Sequence, residues 1–153
     1  MHTMMTRRGL SRVILGGVLA GAVSGGARAQ APNRRATIYK NPQCDCCEGY
    51  AAYLRRNGFT VTVIPTNDLS LMNRERGISP SIEGCHLTLV DGYVVGGHVP
   101  INTFNRLLRE RPAIRGISLP GMPMGSPGMV GRQTEPFTIY QIADGPPRVY
   151  AVE

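Results

Sequence analysis

The chain has 153 residues, of which 42% are hydrophobic and 18% are charged, as expected for one globular domain. Its formal net charge is +7, but four of the 17 basic residues and none of the acidic ones lie in residues 1–29, which leaves +3 for the rest. The remaining basic residues are scattered and do not interleave with Tyr or Phe, which argues against a nucleic-acid-binding protein.

The N-terminal segment is typical of a secretory signal. It has a basic start, a short apolar run over residues 13–23 and small residues before an expected cleavage point after Ala29. The apolar run is about half the roughly 20 residues that span a bilayer, although a retained anchor is the alternative. The arginine pair in "TRRGLSR" fits twin-arginine export, with the general secretory route also open. We predict a cleavable signal over 1–29, a linker over 30–35, and a periplasmic protein with no stable membrane span after cleavage.

The first half of the remaining chain alternates between strands and helices. Residues 36–40 predict a brief strand, and residues 46–57 predict a helix with its apolar side chains on one face. Residues 59–64, "FTVTVI", predict a second strand because β-branched residues alternate along it. Asp68 is placed to cap a second helix, "DLSLMNRERG", which ends at Gly77.

The second half begins with a hairpin, because "HLTLV" and "YVVGG" flank an Asp91-Gly92 turn. Pro100 then opens a third helix with an apolar face. After Arg115 the sequence "GISLPGMPMGSPGMVG" predicts neither a helix nor a central strand, since it is rich in Gly and Pro. Two final strands, "FTIYQI" and "RVYAV", are expected to pair.

The predicted order β–α–β–α–β–β–α is that of a thioredoxin-like α/β domain. We expect this domain over residues 36–153. Its C-terminal extension, residues 116–153, would comprise the Gly/Pro/Met-rich loop and the last strand pair. No internal repeat or second domain is indicated.

Three of the four cysteines, Cys44, Cys46 and Cys47, lie within four residues at the start of the first predicted helix. Cys44 and Cys47 form a Cys-x-x-Cys pair at the redox position of this fold, where the helix dipole favours thiolate. A dithiol couple does not need Cys46, so three converging thiolates indicate a soft metal ion, above all Cu(I), with Zn(II) or an iron–sulfur cluster next. A thiol–disulfide oxidoreductase using Cys44 and Cys47, and structural disulfides including one from Cys85, are the alternatives.

Histidines and methionines are further candidate ligands. His86 follows Cys85 directly, so on a strand its side chain would point to the opposite face, whereas a loop at this point would relax that constraint. His86 is therefore either a ligand or a residue of the turn behind the ligands. His98 ends the second hairpin strand and is either a buried hydrogen-bonding residue or a ligand. Thioether sulfur suits Cu(I) as a ligand, whereas methionine also fills gaps in a core. The methionines concerned are Met122, Met124 and Met129.

The motifs "YKNPQCDCC", "GCH", "GYVVGGHVP" and "PGMPMGSPGM", in this order and spacing, resemble the CopG-like copper-binding proteins, catalogued as domain-of-unknown-function family 411. The resemblance implies a thioredoxin-like fold, a periplasmic location and a role in copper resistance beside other periplasmic copper-resistance proteins. It also implies binding of more than one copper ion. Whether the protein is an enzyme that exchanges electrons with copper is left open. The ligands that the resemblance implies are Cys44, Cys46, Cys47, Cys85 and His98.

Two positions depart from the family pattern. Asp45 stands where the family usually has glycine, and it adds a negative charge near the thiolates. Gly96 stands where the family usually has glutamate, so a carboxylate that would orient His98 or a metal ion is missing here.

Overall fold

A computed structural model describes residues 34–153, so the predicted signal peptide and most of the predicted linker lie outside the described residues. Within this range the chain forms one seven-stranded sheet and three α-helices, which confirms the mixed α/β class. No described helix has the length and apolar character needed to cross a membrane. The strands are β1 (Arg35–Lys40), β2 (Thr60–Pro65), β3 (His86–Val90), β4 (Tyr93–Gly96), β5 (Gly116–Ser118), β6 (Thr138–Ile142) and β7 (Arg148–Val152). The helices are α1 (Asp45–Arg56), α2 (Leu69–Glu75) and α3 (Ile101–Glu110), with a short 3-10 turn at Pro80–Ile82.

The strands lie in the order β2-β1-β3-β4-β5-β6-β7. The pairs β1/β2 and β4/β5 are parallel, and the other pairs are antiparallel. Helix α1 connects the parallel strands β1 and β2. Because β3 runs antiparallel to β1, with His86 opposite Lys40, the end of β1 lies beside the start of β3. This register places the first cysteine motif and Cys85 at the same end of these two neighbouring strands.

The core lies where α1 and α3 pack on the sheet. Tyr50 and Leu54 of α1 and Phe104 and Leu107 of α3 are fully buried. Phe104 also meets the Phe59 ring edge-on, with 5.1 Å between ring centroids. Burying each such side chain contributes about 1.5–3 kcal/mol, so the apolar faces of both helices hold them on the sheet.

The hairpin turn between β3 and β4 has the predicted residues. Asp91 and Gly92 both have positive φ, 47° and 84°, the backbone that a two-residue hairpin of this twist requires. Asp68, by contrast, precedes α2 without a side-chain capping bond, and its backbone N–H donates to the Thr66 hydroxyl instead. The predicted Asp68 side-chain cap is therefore wrong.

The prediction that the Gly/Pro/Met-rich stretch holds no central strand is also wrong. Its first three residues form β5, which lies between β4 and β6. Gly116 allows the close approach, since a side chain there would collide with the Val94 carbonyl of β4. Ile117 supplies one fully buried side chain. A strand this short is fixed by its neighbours in the sheet and leaves little trace in local sequence.

Candidate metal centre

The four cysteine sulfurs converge where β1 ends, α1 begins and β3 begins. Cys46 Sγ lies 3.3 Å from Cys44 Sγ and 3.9 Å from Cys85 Sγ. Cys47 Sγ lies 3.8 Å from Cys85 Sγ. All four sulfur atoms fall within 4.8 Å of one another, the spacing of atoms that share a metal ion.

Cys44 and Cys47 are joined by a disulfide, whereas Cys46 and Cys85 are free thiols. The alternative in which Cys85 forms a disulfide with a motif cysteine is therefore wrong for this structure. The Cys44–Cys47 pair is the one expected of a Cys-x-x-Cys redox motif. A site that uses all four sulfurs requires reduction of this disulfide by two electrons and two protons.

Cys85 is a partly buried free thiol. Burial, and secondly the neighbouring Cys46, raise the pKa of Cys85 to about 12. His98 Nε2 lies 3.0 Å from Cys85 Sγ, and His98 Nδ1 lies 2.7 Å from the Pro127 carbonyl oxygen. A carbonyl only accepts, so Nδ1 carries the proton. Burial lowers the pKa of His98, so the ring is neutral and the Nε2 lone pair faces the sulfur, as a metal ligand requires.

His86 belongs to the same cluster, although an opposite-face position was expected. Its Nδ1 lies 3.4 Å from Cys85 Sγ, because Cys85 precedes β3 and the alternation of strand side chains begins only at His86. His86 is buried, its Nε2 has no hydrogen-bond partner among the described residues, and its ring packs on Tyr50. Burial, and secondly His98, lower the pKa of His86 to about 3. Cys47, Cys85, His86 and His98 thus form a second set of mixed donors within 4.8 Å.

Residues 120–131, here called the methionine segment, reach the cluster through Met122. The Cys46 thiol donates to Met122 Sδ at 3.6 Å, and the Met122 side chain is 53% exposed. Met124 is exposed and Met129 is half-buried, and within the described residues no hydrogen bond links the sulfur of either to the cysteines. The structure therefore brings one of the three candidate methionines to the sulfurs.

Gly49 and Gly128 hold the methionine segment against α1. A side chain at Gly49 would collide with the Gly128 carbonyl, and one at Gly128 would collide with the Gly49 carbonyl group and the Tyr50 backbone nitrogen. Gly128 has a φ of 82°, which favours glycine. This close approach sets the neighbouring Pro127 carbonyl against His98.

Lys40 is a buried charged residue beside the cysteine motif that the sequence analysis missed. It is only 5% exposed, and its ammonium donates to the Cys44 carbonyl at 3.1 Å and to the Pro42 carbonyl at 3.4 Å. It also pairs with the half-exposed carboxylate of Glu48 at 3.3 Å. The sequence signal that could have revealed Lys40 is the alternation of buried and less buried residues along β1, since Ala36, Ile38 and Lys40 share its buried face.

Comparisons with known proteins place these residues in a family. The family described as "Protein of unknown function, DUF411" matches residues 82–129. Two solved structures, forms 1 and 2 of a protein titled "Copper resistance protein copG", are each 32% identical to this chain, with a TM-score of 0.71. They cover 78% of this chain, which in turn covers 96% and 97% of theirs. The chain belongs to the CopG-like DUF411 family. No curated protein sequence matches it.

Gly96 is one of the two positions at which this chain departs from the CopG-like pattern, and its neighbour in β5 explains why a glycine fits there. A side chain at Gly96 would collide with the Ser118 hydroxyl and lie 3.2 Å from Ser118 Cβ. Ser118 is buried, and its hydroxyl donates to the Ile82 carbonyl at 2.5 Å. Ser118 therefore fills the space beside Gly96, and a glutamate at position 96 would require it to move.

Proposed function

We propose that this protein binds copper as Cu(I) in the periplasm and acts in copper resistance. The observation that carries the proposal is the convergence of four cysteine sulfurs within 4.8 Å. Thiolates are soft ligands that suit Cu(I), as well as Zn(II) and iron–sulfur clusters. Similarity to structures titled as copper resistance proteins supports the same conclusion. The predicted export signal over residues 1–29 supports the periplasmic location, where other copper-resistance proteins would deliver or receive the ion.

The charge of the site favours more than one ion. A lone Cu(I) among four thiolates leaves three uncompensated negative charges in a partly buried place, which is costly. Several Cu(I) ions that share bridging thiolates remove most of this charge. Lys40, whose ammonium contacts the Cys44 carbonyl, offsets part of the remainder. We therefore propose a multinuclear copper–thiolate cluster.

Each candidate ligand has a role in this proposal. The four cysteines would bridge the ions, with His98 Nε2 beside Cys85 as a nitrogen ligand. Met122 would complete the solvent-facing side through its contact with Cys46. His86 lies within reach as a weaker candidate, and Met124 and Met129 would act only if the methionine segment moved.

A second candidate function is thiol–disulfide exchange, which is favoured by the Cys44–Cys47 disulfide. In that function a substrate disulfide would receive two electrons from the Cys44/Cys47 dithiol, and Cys46 and Cys85 would be dispensable.

Electron exchange between Cu(I) and Cu(II) at the same site is a further part of the copper proposal. Reduced protein that leaves added Cu(II) unreduced would count against that part.

An anaerobic Cu(I) titration of the reduced protein against a chromogenic chelator separates these functions. The copper proposal predicts retention of more than one equivalent by the wild type and a marked loss in Cys46→Ser and Cys85→Ser. Met72→Leu, which removes a sulfur from α2 outside the site, is the control and should leave retention unchanged. Surrender of all copper by the wild type would reject the proposal and leave thiol exchange as the function to test.

A further inference from the structure

A continuous series of aromatic rings leads from Cys85 through the core to a tyrosine that solvent reaches. We propose that this series carries an electron from Tyr53, through the ring of Tyr50, to a sulfur radical at Cys85. The transfer restores the cysteine and moves the radical to a place where small reductants remove it. The route begins at the sulfur, so it does not rest on the proposed copper binding.

Two imidazole rings connect Cys85 to Tyr50. Cys85 Sγ lies 3.4 Å from His86 Nδ1 and 3.0 Å from His98 Nε2. The centroid of the Tyr50 ring lies 4.7 Å from the centroid of the His86 ring and 5.1 Å from that of His98. These are contact separations for aromatic rings. The sulfur is therefore one imidazole ring away from Tyr50 by either path.

Helix α1 continues the series toward solvent. Tyr50 and Tyr53 are three residues apart, a spacing that makes side chains neighbours on a helix. Their rings are stacked, with centroids 5.9 Å apart and an angle of 27° between the ring planes. Tyr50 is fully buried, whereas Tyr53 is half-buried. The two tyrosines thus join the buried side of the cluster to the surface.

The hydrogen bond of Tyr50 makes it a bridge and not the place where a radical rests. Its hydroxyl donates to the Val99 carbonyl oxygen at 2.8 Å, inside the core. A carbonyl oxygen is too weak a base to take the proton, so an oxidised Tyr50 would remain a buried cation, which is costly. The electron therefore passes through the Tyr50 ring without stopping there.

Tyr53, in contrast, can lose its proton when it is oxidised. Its oxygen accepts a hydrogen bond from the Ile101 amide at 2.9 Å. Among residues 34–153 no group accepts the Tyr53 hydroxyl hydrogen in turn, so water can take this proton. The product is a neutral tyrosyl radical that solvent reaches.

The electrons and protons balance in two steps. A hydrogen-abstracting radical, such as the hydroxyl radical that peroxide yields on one-electron reduction, takes the hydrogen atom of the free Cys85 thiol and leaves a thiyl radical. Tyr53 then gives one electron to the sulfur and its proton to water, and the sulfur takes up a proton from water. A hydrogen-donating reductant returns Tyr53 to its first state. A cysteine that is not restored oxidises further to sulfinic and sulfonic acids, which thiols do not reverse.

The test generates the sulfur radical in copper-free protein with the Cys44–Cys47 disulfide closed. Cys46→Ser serves as the background, because Cys85 is then the one free cysteine of the four in the chain. Cys85 is S-nitrosated, and light breaks the S–N bond into a thiyl radical and nitric oxide. A nitroso spin trap marks the residue that holds the radical, and mass spectrometry of the peptides locates the mark. We expect it on Tyr53.

Variants in this background separate the route from simple packing. Tyr50→Phe keeps the bridging ring and should leave the marking of Tyr53 unchanged, whereas Tyr50→Leu should lower it at least tenfold. Tyr140→Leu, which removes a ring from the other hydrophobic cluster, is the control and should have no effect. Thermal melts show whether each variant folds.

Tyr53→Phe provides a second measurement that does not disturb the buried ring. After illumination in air, this variant should contain at least threefold more Cys85 sulfinic and sulfonic acid than its background, because the sulfur radical is no longer refilled. An unchanged amount of these acids would overturn the inference, and it decides the matter if Tyr50→Leu does not fold.

Two further outcomes would also overturn the route. One is release of nitric oxide without a mark on Tyr53, and the other is equal marking of Tyr39 and Tyr140, which would show that the radical escapes through solvent. Because the test contains no copper, its failure leaves the proposed copper function standing. Failure of the wild type to retain Cu(I) in the chelator titration would reject that function and leave this route standing.

Discussion

His98 Nε2 lies 3.0 Å from Cys85 Sγ, while the opposite side of the same ring donates to the Pro127 carbonyl at 2.7 Å. One imidazole thus joins the sulfur cluster to the methionine segment, although the two lie far apart in sequence. Because Pro127 fixes the protonated nitrogen, the position of the segment decides which His98 atom faces the sulfur.

Replacing His98 with Gln should weaken Cu(I) binding by the reduced protein at least tenfold. Glutamine is polar and of similar length, but it has no imidazole lone pair to offer beside Cys85. The measurement is chelator competition under anaerobic conditions, with a thermal melt of the copper-free protein to confirm folding. Unchanged affinity in a folded variant would show that His98 is only a buried hydrogen-bonding residue.

Gly49→Ala should displace the methionine segment, because the added methyl group collides with the Gly128 carbonyl. We expect a loss of about 1–3 kcal/mol in the free energy of unfolding, together with weaker Cu(I) binding. Ala52→Gly is the control in the same helix, since it costs about 1 kcal/mol through helix propensity without touching the segment. If both variants bind copper equally well, the segment does not contribute to the site.

Lys40→Met should weaken Cu(I) binding about tenfold. The buried Lys40 ammonium donates to the Cys44 and Pro42 carbonyls. Its ion pair with the half-exposed Glu48 carboxylate is screened by solvent, so positive charge remains beside the cysteine motif. Lys40→Arg, which keeps the charge, should restore most of the affinity. A lower melting temperature with unchanged copper affinity would instead assign Lys40 a purely structural role.

The copper-free protein should lose stability in mild acid. The pKa of His86 is about 3 in the folded protein and about 6.5 when unfolded, so below pH 6.5 only the unfolded chain takes up the proton. The stabilising contribution is complete above pH 6.5 and falls by about 2 kcal/mol by pH 5. His98, whose pKa is also lowered by burial, acts in the same direction.

Denaturant unfolding of the wild type and of His86→Phe at pH 7.5 and pH 5 measures this effect. The aromatic replacement keeps the packing on Tyr50 and removes the titrating group. The variant should lose less stability than the wild type between the two pH values. An equal loss in both proteins would contradict the assignment to His86.

Local patterns in the sequence were sufficient for much of the fold. The Asp91-Gly92 turn, the apolar face of α3 and the helix after the cysteine motif are each encoded within a few residues. The strand β5 was not predictable in this way, since Gly116, Ile117 and Ser118 become a strand only between two others. The thioredoxin-like assignment stays a prediction, as do the signal peptide and the linker.

The candidate site was predictable in its members and less so in its arrangement. The crowding of Cys44, Cys46 and Cys47 already indicated soft-metal or redox chemistry. Which pair forms the disulfide, and that His86 faces Cys85, depend on how β3 begins beside the end of β1. Lys40 was missed because a charged residue at a strand end is normally solvated, whereas here its ammonium is buried and donates to the Pro42 and Cys44 carbonyls.

Copper K-edge X-ray absorption of the reduced, Cu(I)-loaded protein tests the central claim most directly. A multinuclear thiolate cluster predicts a Cu(I) edge, a first shell dominated by sulfur, and a copper–copper distance that disappears in Cys85→Ser. A first shell of nitrogen and oxygen without sulfur, or one that Cys46→Ser and Cys85→Ser leave unchanged, would contradict the claim that these four cysteines hold the copper.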